Sequence, residues 1–83
     1  MLDKKELREQ VESSFKPYHC GVEFLPTGQP YWDELGIQLS DEDNKLPVFK
    51  RMEPRSVVED ILDEIIEMWR EEATAKGYQL DPL

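Results

Sequence analysis

The chain has 83 residues, 19 of them acidic and 10 basic, for a net charge of −9. A chain of this length makes one domain and buries only about 60–65% of its unfolded surface, which leaves no room for a large walled substrate cleft. Its charge repels phosphate backbones and anionic membranes, so direct nucleic-acid and membrane binding are disfavoured and a basic protein partner is favoured.

Hydrophobic residues make up 39% of the chain and aromatics 10%, which is too apolar for a fully disordered polymer. The single cysteine, Cys20, excludes an internal disulfide and suits a reducing compartment. The first residues are charged throughout, unlike a signal peptide, and no apolar run is long enough to span a bilayer. The expected location is the cytoplasm. The charge is also uneven, since residues 53–83 alone carry nine acids and three bases.

Residues 3–16 read as a helix. Asp3 and Glu6 have the spacing of a capping box, and Leu7, Val11 and Phe15 recur every four residues on one face. Pro17 marks the end, because the residue before a proline disfavours helical torsions. Residues 18–25 read as a strand with Cys20, Val22 and Phe24 on one side and His19, Gly21 and Glu23 on the other. Residues 26–34, with two prolines and a glycine, read as a loop. Residues 35–39 form a second strand with Leu35, Ile37 and Leu39 inward, and residues 40–45 a polar turn. Residues 46–51 form a third strand, which Pro47 confines to a sheet edge. The strands together make a β-meander over 18–52.

The second helix, 57–76, has Ser56 and Glu59 as its capping box and Gly77 as its left-handed C-cap. At about 100° per residue, Val58, Ile61, Leu62, Ile65, Ile66, Trp69 and Ala73 form the core stripe, with Val57 and Met68 at its margin. Twenty residues make a helix roughly 30 Å long. Residues 78–83 are a tail from which Tyr78 and Leu80 either add a short strand or dock on the core. The order is α-β-β-β-α. The expected fold is a small α+β domain with an antiparallel sheet and helices packed on one face.

Two features stand out as candidate sites. Asp60, Asp63, Glu64, Glu67 and Glu71 cluster on the side of the second helix opposite the core stripe, and Arg70 is the lone base among residues 57–75. Like charges at helical spacing repel by a few tenths of a kcal/mol per pair, so a helix selected for stability alone would mix in lysines. A basic protein surface would neutralise the row. Alternatively, carboxylates in a row imitate nucleic-acid phosphates, and the protein inhibits a DNA- or RNA-binding protein. The plainest reading is a solvated face that serves solubility. Tyr31 and Trp32 are the second feature. Adjacent aromatics in a Pro/Gly loop serve either as interface anchors or as a lid on the core.

Other chemistries lack parts. His19 and Cys20 are neighbours on a strand and point to opposite faces, so they share neither a metal ion nor a nucleophile–base dyad. Residues 41–52 begin like a calcium loop, but Lys45, Leu46 and Met52 occupy ligand, turn and closing positions. The four glycines are scattered, so no phosphate loop forms. The expectation is a non-enzymatic protein-binding module without metal or cofactor, acting as an adaptor, accessory subunit or inhibitor. The further alternative is an accessory homodimer, because a core this small gains from added burial.

Overall fold

A computed structural model of the protein describes residues 3–29, 32–43 and 45–83. The first helix, α1 (Lys4–Ser13), starts where Asp3 accepts a hydrogen bond from the Glu6 amide at 2.8 Å. Its apolar face buries Leu7 and Val11 completely, and Phe15 just beyond it. The helix stops three residues short of the expected position. The hydroxyls of Ser13 and Ser14 both donate to the Gln10 carbonyl, and the Ser14 amide turns to Val11 in a tighter i→i+3 bond. Serine competing for backbone acceptors loosens a helix end in this way.

The sheet holds β1 (His19–Gln29), β2 (Trp32–Ser40) and β3 (Phe49–Pro54), antiparallel throughout, in the order β1-β2-β3. Cys20, Val22 and Phe24 pair with Leu39, Ile37 and Leu35 on the face that meets the helices. Two boundaries differ from expectation. Most of the expected loop 26–34 is strand: Pro26 pairs with Asp33 and Gln29 with Trp32, around an irregular register that contains Gly28 at φ 87°. β1 is an edge strand, where a proline costs no ladder bond on its outer side, and a bulge accommodates the glycine. The third strand begins at Phe49 rather than at residue 46, and it lies at the other edge of the sheet.

The expected helix 57–76 is two helices, α2 (Arg55–Asp60) and α3 (Leu62–Ala75). Ile61 breaks them apart with φ −129° and ψ 47°. No glycine or proline marks the break. The expected Ser56 cap is also absent, because α2 starts at Arg55, directly after β3, with no side-chain cap. An ion pair holds that start instead: Arg55 Nε lies 2.9 Å from the Asp33 carboxylate of β2. Val58 anchors α2 in the core, and Ile65, Ile66, Trp69 and Ala73 anchor α3. Burying a side chain the size of Val58, Ile65 or Ile66 contributes about 1.5–3 kcal/mol.

The end of α3 follows the sequence reading. Gly77 adopts φ 106°, its amide bonds to the Thr74 carbonyl, and the Tyr78 amide reaches back to Ala73 at 3.2 Å. These two bonds are the Schellman pair that satisfies orphan helix carbonyls. Tyr78 is buried against Tyr18 and Phe49. The tail lies back over the end of α1, where the Asp81 amide donates to the Lys16 carbonyl at 2.8 Å. The architecture is therefore α+β, in the order α-β-β-β-α-α, with one core between the helices and one face of the sheet. Among the described residues, no helix is long and apolar enough to cross a membrane.

Candidate functional site

The acidic row is built by the outer side of the α2–α3 pair. Asp60 ends α2, and Asp63, Glu64, Glu67 and Glu71 belong to α3. All five are exposed. Because Ile61 breaks the helix, Asp63 and Glu64 fall in the first turn of α3. A carboxylate there interacts favourably with the helix dipole, worth about 0.3–1 kcal/mol each. These two acids thus have a structural role that a continuous helix would not give them. Asp63 and Glu67 border the cleft between α3 and α1, beside Gln10, Ser13 and Arg70.

The pairing of the acids separates them sharply. Glu59 lies 3.6 Å from Arg55, Glu72 pairs with Arg51, and Asp33 holds both Arg55 and Lys4, the latter at 3.7 Å. Among the described residues, none of the five row acids has a cation within 4.0 Å. Arg70, the one base placed to neutralise them, is engaged elsewhere. It donates to the backbone carbonyls of Ser14 and of Asp81, the latter at 2.7 Å, and so clamps α1 and the tail to α3.

No family model, no curated protein and no solved structure matches this chain. The site's meaning therefore rests on its own geometry.

Apolar side chains interrupt the acidic row. Ile61 is 39% exposed and Met68 40%. Met68 follows Glu64 by four residues and precedes Glu71 by three, so the three share one helix face. An exposed methionine beside unpaired carboxylates is a surface with both apolar and charged contacts to offer. The sequence reading placed Ile61 in the core stripe and Met68 at its margin; the break at Ile61 turns that residue outward.

Of the aromatic pair, Tyr31 lies outside the described residues. Trp32 opens β2 opposite Gln29, and its side chain lies outside the described part of the structure. Cys20 and His19 point apart as their strand positions require, with the thiol buried and the imidazole exposed. Burial, followed by the charge of Glu12, pushes the Cys20 thiol up to about 12, which leaves it protonated and unreactive near neutral pH. Among the described residues, no three His, Cys, Asp or Glu side chains converge as a metal ion requires.

Proposed function

We propose that the protein is a non-enzymatic binding module whose α2–α3 surface docks on a basic region of another protein. The observation that carries this reading is the contrast in pairing. Glu59 and Glu72 have arginine partners, whereas Asp60, Asp63, Glu64, Glu67 and Glu71 have none among the described residues. Unpaired like charges at helical spacing destabilise a helix, and a cationic partner removes that cost. The same field accelerates encounter with a basic surface by about 10–10³-fold at low salt. Ile61 and Met68 supply apolar contact inside the charged field, and Tyr31 and Trp32 add anchors of the type that dominates interfaces. The setting we propose is the reducing cytoplasm, which suits a single unpaired thiol.

Affinity capture from the host lysate tests the reading, with and without nuclease and at low and about 0.5 M salt. A basic protein retained at low salt and weakened by high salt is the expected outcome. Capture that appears only after nuclease treatment, with displacement by DNA, would assign the same face to nucleic-acid mimicry. Capture that is unchanged when Asp60, Glu64 and Glu67 are replaced by lysine would reduce the face to a solubility device.

A further inference from the structure

The face of the sheet turned away from the helices is uncovered among the described residues. It forms a shallow depression of about 400 Å³. Gly21 and Lys50 lie abreast across Gln38, and in the next row Glu23 and Met52 flank Gly36.

The two glycines are the first clue. Neither has a positive φ, and neither lies at the irregular register near Pro26. A Cβ at Gly21 would approach the Gln38 carbonyl no closer than 3.9 Å. At Gly36 it would touch Leu25 and Met52 side-chain carbons at 3.7 and 3.9 Å, ordinary contact distances. The fold itself thus has no steric need for glycine at either position. Glycine in a strand costs about 0.5–1 kcal/mol relative to alanine. Without a bulge or a bend to explain it, a strand glycine marks a place where another group approaches the backbone. Leu25 and the half-exposed Met52 supply an apolar centre beside it.

The charges indicate what approaches. Glu23 on β1 and Lys50 on β3 are exposed, and among the described residues neither has an opposite charge within 4.0 Å. β2 separates them by about two strand spacings, roughly 10 Å. The face thus carries an acid at one edge and a base at the other. A twofold axis close to the strand direction brings β1 of one copy over β3 of the other and sets Lys50 over Gly21, two residues or about 7 Å along the strand from Glu23, a span that the extended lysine stem covers, so that Glu23 and Lys50 pair twice. Gly21, in the row of Lys50, leaves space for the lysine stem. This is the self-complementarity that an isologous interface requires.

We propose that the open sheet face is the docking surface for a second copy of this chain, with reciprocal Glu23–Lys50 pairs. It lies on the layer opposite the acidic row, so both surfaces are free to act together. The part of the face that all three strands share is about 20 Å by about 14 Å. A standard interface buries about 800 Å² per partner. The dimer is therefore weak and concentration-dependent, not obligate.

Sedimentation analysis from about 1 µM to about 1 mM tests this. The wild-type protein should pass from monomer to dimer within that range. Glu23→Lys and Lys50→Glu should each weaken dimerisation at least about tenfold, the equivalent of 1.4 kcal/mol. The double variant Glu23→Lys/Lys50→Glu should restore it. Circular dichroism of each variant verifies folding, and both positions are exposed. A monomer across the whole range overturns the proposal. So does a dimer that neither single reversal weakens, or one that the double reversal fails to restore.

Discussion

The Tyr78 hydroxyl lies 2.6 Å from the Pro47 carbonyl oxygen, to which it donates, and 3.2 Å from that of Leu39. One buried side chain thus ties the tail after α3 to the segment that leads into β3. Tyr78→Phe keeps the ring and removes the donor. The cost of leaving a buried carbonyl without its partner is about 1–3 kcal/mol. Urea denaturation should show a lower midpoint with an unchanged slope.

Gly77→Ala tests the C-cap. At φ 106° a Cβ is strained, and it would also lie 2.8 Å from Leu46 Cδ2. The leucine end can swing aside, but the backbone torsion cannot relax without breaking the Schellman bonds. We expect a loss of at least about 1 kcal/mol, because alanine at positive φ destabilises by more than the entropy it saves. Thermal melting of the two proteins compares them directly.

Cys20 sets an alkaline limit. Its folded-state pKa is raised from 9.0 to about 12, chiefly by burial. The unfolded thiol therefore ionises first, and the stabilisation linked to this group is complete below pH 9 and lost as pH rises towards 12. Cys20→Ala removes that component. The stability difference between wild type and variant should shrink steadily between about pH 9 and about pH 11. A constant difference in urea titrations across that interval would show that the thiol is not held protonated by the fold.

The acidic row costs the free protein stability. Asp63, Glu67 and Glu71 follow one another at i, i+4 spacing along α3, and all are exposed. Glu67→Lys turns the repulsive pairs with Asp63, Glu64 and Glu71 into attractive ones without removing the first-turn acids. It should raise stability by about 0.5–1 kcal/mol. Asp63→Lys should gain less or lose, because it also removes an acid from the helix N-terminus. Calorimetry of the two single variants measures the contrast. A stabilising Glu67→Lys that also weakens partner binding is the trade-off expected of a functional surface.

Much of the fold was legible in the residues. The alternation of Leu35, Ile37 and Leu39 placed the central strand, and Asp3 and Gly77 marked true helix ends. The third strand lies at an edge as expected, but Pro47, the residue that suggested it, precedes the strand. Pro26 and Gly28 misled, because they read as a loop yet fit an edge strand with an irregular register. The break at Ile61 had no local signal, neither glycine nor proline, and Ser56 looked like a cap although Arg55 and Asp33 fix the start of α2. In the candidate site, exposure of the five acids followed from helical periodicity. Their unpaired state did not. Helical phase put Glu67 in the row and left Glu72 out of it, but it assigned a partner to neither; only the fold brings Arg51 to Glu72 and draws Arg70 away to two backbone carbonyls. The open face was foreseeable from the α+β layering, but the opposed placement of Glu23 and Lys50 needed the strand order.

The most direct test of the acidic docking surface is the association rate between the protein and its captured partner, compared with that of Asp60→Lys/Glu64→Lys/Glu67→Lys. The account predicts at least about a tenfold fall in rate for the variant at low salt, and a much smaller difference at about 0.5 M salt. Equal rates at low salt would contradict it.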